Sequence, residues 1–192
     1  MRISPNYTRE DWQKLPFPAE EAWHKAVDIF KDRYRGRFLE PISRIEGYTY
    51  AGFAIMALDC LLIETLQQFY EGEDETPNEN SGKYFVRFLT KTSFSEWFTE
   101  DKARKFYKQI RCGILHQAET KKSSLIRVDT PTLVEYTADG NGLVINRRLF
   151  HQQLEREFEA YMAKLCDLSE QELRKNFRRK MNYICKASGE IN

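Results

Sequence analysis

A mainly α-helical fold carrying a small β insertion is what this sequence predicts, on three observations. Apolar residues recur at helical spacing over most of its length. Glycine and proline are sparse, at 9 and 6 of 192 residues, which suits helices better than a loop-rich chain. The period shortens to strand-like alternation only between Lys121 and Asn146. An apolar fraction of 41%, with 14% aromatic, is ample for a core, and charged residues nearly cancel to a net +1. Overall charge therefore does not announce a nucleic-acid binder; such a surface needs local charge separation.

The first expected helix opens at Pro18 with Glu20 and Glu21, because proline and acids favour an N-terminal turn; Trp23, Val27 and Phe30 follow at helical spacing. Pro41 is expected to start a second helix that runs to about Tyr70. Its segment Gly47 to Ile63 is apolar almost all round, but Asp59 interrupts it and Glu64 ends it, short of the ~20 apolar residues of a membrane span. A central buried helix and no membrane is the expectation. Gly72 to Asn80 is acidic and breaker-rich, a surface loop. A short helix then turns Tyr84, Phe85, Phe88 and Leu89 inward. Thr99 caps a helix through about Ala118, with Asp101 in its first turn. Three β-branched runs follow (SSLIRVD, TLVEYTA and GLVIN), and Asp139-Gly140-Asn141-Gly142 signals a hairpin turn. Asn146 caps a helix to about Asp167, and Ser169 with Glu172 reads as a capping box for the last one.

The expected organisation is an N-terminal arm over 1–17, a helical domain over 18–168 with its β-hairpin at 121–146, and a basic helix over 169–192 packed on that domain. Cys60, Cys112, Cys166 and Cys185 are far apart and form no ligand spacing, so a reduced cytoplasmic setting is expected. Met1 to Pro18 carries Arg9, Glu10, Asp11 and Lys14 and does not read as a signal peptide.

One stretch points to chemistry: Arg111-Cys112-Gly113-Ile114-Leu115-His116-Gln117. An imidazole that exchanges protons near neutrality, close to a permanent cation, suits attack on a phosphodiester without metal or other cofactor. With about 100° per residue, Ala103, Phe106, Ile110 and Ile114 form the buried stripe. Arg111 falls about 80° to one side of its centre and His116 about 140° to the other. Two side chains so placed do not readily meet one phosphate, unless Gly113 relaxes the helix or a second copy supplies the complement.

With its ILHQAET continuation and the preceding RIEGYTYAGFAIMALDCLLIETL helix, this motif resembles the HEPN superfamily (higher eukaryotes and prokaryotes nucleotide-binding), in a bacterial branch. The resemblance covers Ile42 to Cys166. It implies a helical bundle, usually a homodimer with facing motifs, and in many members a metal-independent endoribonuclease serving as toxin or antiviral effector. Carried over by residue, His116 is implied as general acid or base and Arg111 as the group that orients and stabilises the phosphate. RNA is the implied partner, with an antitoxin or nucleotidyltransferase beside it. Cys112 departs from the polar residue that active members often hold there. The alternative is a HEPN-like module that binds RNA, nucleotide or a protein without cutting.

Supporting roles are expected for Cys112 and Gln117, and for Glu64 or Asp59 as orienting groups for Arg111 or His116. The same acids, with Glu46, read equally as core ion pairs. Arg174, Lys175, Arg178, Arg179, Lys180 and Lys186 make a basic run on the last helix. Phe177, Met181 and Ile184 share it, so a core face opposite a cationic face is expected. Within that run Arg174, Lys175, Arg178 and Arg179 are the RNA-contact candidates. His24 and His151 read as ordinary surface or interface residues. No P-loop, GxSxG, HExxH or zinc spacing is present.

Overall fold

The computed structural model describes residues 1–77 and 80–186. Asn78 and Glu79 of the expected acidic loop, and 187–192 of the expected last helix, lie outside the described residues. Helix makes up 65% of the chain, with a three-stranded mixed sheet, so the mainly α class with a small β insertion is observed.

In order, α1 is Arg9–Gln13 and α2 Glu20–Tyr34; a π-helical turn at Arg35–Leu39 leads into α3, Glu40–Ile45. Helix α4 is Gly52–Glu71 and α5 Ser81–Lys91, followed by a 3-10 turn at Ser93–Glu96. Helix α6, Glu100–Lys105, passes into a π-helical turn, Phe106–Arg111, and then α7, Cys112–Gln117. Strands β1 (Leu125–Arg127), β2 (Val134–Tyr136) and β3 (Leu143–Asn146) precede α8, Arg147–Cys166, and α9, Gln171–Cys185.

Pro41 does not start a helix. It lies inside a helical run, where a missing N–H and a ring clash with the carbonyl four residues back are normally disruptive. The preceding π turn relieves this, since Glu40 N–H reaches back to Arg35 O rather than to the next carbonyl along. The expected second helix instead breaks at the Gly47 to Tyr50 turn, and α4 begins afresh.

Thr99 caps α6 through its hydroxyl, which accepts from Lys102 N at 3.3 Å. Asn146 caps α8, its Oδ1 accepting from Arg148 N at 3.1 Å and Leu149 N at 3.2 Å. Ser169 forms no capping box: its amide and hydroxyl both donate to Asp167 Oδ1 at 2.8 Å, and α9 starts with no side-chain cap. The short polar side chain closing the end of α8 has taken the serine first.

The chain forms two compact units. One comprises Met1–Arg44, Gln68–Glu75 and Phe158–Asn192. Its core is aromatic: Phe30 sits 4.7 Å from Phe69, 5.2 Å from Phe177 and 5.4 Å from Phe158, centroid to centroid. Trp12 joins through its ring against Phe177, and its indole N–H donates to Asn182 Oδ1 at 2.8 Å. Each such ring removed from water stabilises by about 1.5–3 kcal/mol.

The other unit comprises Ile45–Gln67 and Thr76–Glu157. Phe106 stacks on Phe150 at 5.1 Å, with Phe94 and Phe98 around them. The expected stripe Ala103, Phe106, Ile110 and Ile114 is buried, as are Tyr84, Phe85, Phe88 and Leu89. In the sheet, β2 and β3 form the expected hairpin, antiparallel with Tyr136 opposite Leu143, and Gly140 takes the positive φ its turn requires. The insertion is more than a hairpin, because β1 adds in parallel on the other side of β3. Gln109 ties this sheet to the helix before it. Its side chain accepts from the Ser124 hydroxyl at 2.6 Å and donates to Asn141 O at 3.0 Å, while its carbonyl accepts Lys121 N–H at 2.9 Å.

Helix α4 is, among the described residues, the one helix long and apolar enough to cross a membrane, and half of its most apolar window is buried. Ile55, Met56, Asp59, Cys60, Leu62 and Ile63 face the interior, but Leu61 is exposed, so burial does not extend all round.

Candidate functional site

Arg111 closes the π turn, and Cys112 N–H reaches back to Tyr107 O. The widening comes before the motif. Gly113, expected to relax the helix, instead makes room for the chain that follows. A Cβ there would collide with the Glu119 carbonyl oxygen and crowd Lys121 N. Only a bare α-carbon lets the outgoing chain fold back this closely. Helix α7 ends in an αL motif, with Ala118 N–H on Ile114 O at 3.1 Å, and Glu119 N–H reaches Gly113 O at 3.5 Å. Ala118 holds the left-handed conformation, φ 53°, where glycine is the usual choice.

The Arg111 guanidinium is held. Its Nη2 donates to Glu64 Oε2 at 3.0 Å, and the Glu64 Oε1 accepts from the Ser81 hydroxyl at 2.9 Å. The guanidinium carbon lies 5.6 Å from the Tyr107 ring centre and 6.0 Å from that of Phe85. Burial opposes its charge, yet the Glu64 carboxylate outweighs that and raises the guanidinium's affinity for its proton. Glu64 thus pairs with Arg111, which fits both expectations for it, orienting group and structural ion pair. The Arg111 side chain stays 17% exposed. Burial also raises the Tyr107 phenol, with Ser81 and Cys112 as polar neighbours. Cys112 is half-buried at this spot.

His116 and Gln117 stand exposed at the end of α7, beside exposed Leu115. The pair therefore divides: a fixed cation with limited access, and an open imidazole five residues on.

Asp59 does not reach the motif. Its Oδ1 lies 2.7 Å from His151 Nδ1, both residues buried, with Glu155 at 4.0 Å from His151 Nε2. His151 is therefore a core residue and not a surface one; an aspartate inside so apolar a helix requires a partner. Burial raises the Asp59 carboxyl. Burial pulls the imidazole down, but the bond and charge of Asp59 win, and His151 is raised. Glu46 forms an ion pair with Arg148 at 3.6 Å.

The basic run of α9 is not one cationic face. Arg174 is buried with its guanidinium 4.0 Å over the Trp23 ring, and Arg178 lies 4.8 Å over Phe17. Lys180 is buried too and donates to Asp74 O, while Arg179 pairs with the Asp74 carboxylate at 3.8 Å. Flat, weakly hydrated guanidinium groups cover aromatic surface well. Arg174, Lys175 and Arg178 do line a groove of about 580 Å³, shared with Pro18, Trp23 and Glu172. Arg179 is not part of that lining.

A set of cations that sequence reasoning passed over lies elsewhere. Lys83 and Arg87 of α5 and Arg104 and Lys108 around α6 line one groove of about 640 Å³, with Tyr107, Val86, Gly82 and Asn80. The signal was present as two pairs four residues apart on successive helices. It was hidden because each pair alone reads as an ordinary solvated helix face.

Among the described residues no cluster of His, Cys, Asp and Glu suited to a metal ion occurs. Comparison with family models, with curated proteins and with solved structures finds no match to this chain.

Proposed function

We propose that this chain is a metal-independent endoribonuclease of HEPN type that works as a homodimer. The observation that carries the reading is the pairing of a guanidinium fixed by Glu64 with an open His116 on the same helical stretch. A catalytic cation is most effective when its orientation is set before the substrate arrives. An imidazole that relays protons must stay accessible to the reacting hydroxyl.

In this mechanism His116 takes the proton from a ribose 2′-hydroxyl as that oxygen attacks the adjacent phosphorus. The P–O5′ bond breaks, the departing 5′-oxygen gains a proton, and the 2′,3′-cyclic phosphate remains. Arg111 stabilises the charge gathering on the phosphoryl oxygens. Five residues of helix place the two side chains roughly 140° apart, so a second protomer supplies one member of each working pair. Exposed Leu115, within the motif, suits a contact there. Four free cysteines fit a reducing cytoplasm.

The test is cleavage of single-stranded RNA in excess EDTA. His116→Ala is expected to lower the rate about 10²–10⁴-fold with unchanged circular dichroism. RNA that stays intact at a molar excess of purified protein overturns the nuclease. The limited exposure of Arg111 favours, as the second reading, a module that binds RNA without cutting; bound but uncut RNA is its signature.

A further inference from the structure

Three grooves on this chain differ in charge. The one around Tyr48, Tyr50 and Arg127 includes Glu46 and Asp129, and the one along α9 includes Glu172. The groove between α5 and the α6 region has Lys83, Arg87, Arg104 and Lys108 and, among the described residues, no carboxylate in its lining. All four cations are exposed. Arg104 pairs with Glu100, and Arg87 lies 5.1 Å over the Tyr84 ring. Lys83 and Lys108 make no ion pair among the described residues. In a chain of net charge +1, this gathering of positive charge raises the local potential and is relieved by a polyanion.

The geometry selects the kind of anion. Within each helical stretch the cations are four residues apart, about 6 Å along the axis, so two short rows of charge face a common trough. That arrangement meets a repeated anion on a flexible strand better than one isolated phosphate. Tyr107 joins this trough to the motif, since the ring that lines the groove also packs on Arg111.

We infer that this groove is the track along which single-stranded RNA enters, its phosphodiesters held by Lys83, Arg87, Arg104 and Lys108 while the strand continues toward Arg111. The inference rests on the ribonuclease reading for the identity of the ligand. The cations here bind and position; none of them touches the reacting atoms.

The experiment uses the full chain and a fluorescent 2′-O-methyl oligouridine of about ten nucleotides, which lacks the attacking hydroxyl. Binding is followed by anisotropy from about 50 to about 200 mM salt. The double variant Lys83→Gln, Lys108→Gln is expected to bind about tenfold more weakly at low salt. Its slope of log affinity against log salt is expected to be shallower by about 1.4, at ~0.7 per lost phosphate contact. Lys83→Arg with Lys108→Arg restores binding. Affinity and slope within twofold of the parent overturn the proposal, as does tripolyphosphate binding as tightly as the oligonucleotide. Loss of binding in the glutamine variant, in a protein that never cuts RNA, supports the track while removing the nuclease.

Discussion

Helix α9 and the α5–α6 region carry comparable numbers of cations and use them differently. On α9, Arg174 and Arg178 lie on aromatic rings, Lys180 is buried against Asp74 O and Arg179 is paired with the Asp74 carboxylate. Around α5 and α6, Lys83 and Lys108 stand exposed in a trough that, among the described residues, is lined by no acid. The denser run in sequence is thus the structural one. What separates them is the company each keeps: tryptophan, phenylalanine and a loop aspartate around α9, solvent around Lys83 and Lys108.

The difference is sharpened by substitutions, beginning with a buried pair that sets the upper end of the scale. Asp59→Ala leaves His151 without its partner in the core and is expected to cost about 3–5 kcal/mol, read from urea denaturation. Arg174→Ala uncovers Trp23 and is expected to cost about 2 kcal/mol, with affinity for the oligouridine unchanged; equal loss of RNA binding would erase the contrast. A smaller effect depends on pH. Because His151 is raised in the fold, its stabilisation is complete below its ordinary value of 6.5 and fades as pH rises through the raised value. Urea midpoints should therefore fall as pH rises above about 6.5, and Asp59→Asn should flatten that fall. The smallest change in stability is expected for Lys83→Gln, within about 0.5 kcal/mol, although the same substitution is expected to weaken RNA binding.

Much of the fold was legible because it rests on local signals. Thr99 and Asn146 cap where their side chains predict, and the stripe from Ala103 to Ile114 faces inward. The departures involve choices between neighbours. Ser169 had two partners within reach and took Asp167; Pro41 was accommodated by a wide turn that no residue type announces. At the candidate site, an acid on α4 that orients Arg111 was foreseeable, since Glu64 ends an apolar run. The partner of Asp59 was not, because it comes from 92 positions away. Likewise the trough of cations exists only once α5 and α6 lie side by side.

The wide turn at Phe106–Arg111 has an evolutionary corollary. Each of its rings encloses one residue more than an ordinary helical ring, so in-frame loss of a single codon would leave an uninterrupted α-helix rather than a broken one. The backbone would accept the change, and because the wide turn had already absorbed the extra residue within one turn, the stretch beyond it, His116 included, would keep the direction in which it faces. Length differences of one residue among natural variants of this chain are thus expected to gather at this turn and to leave the direction of the imidazole unchanged.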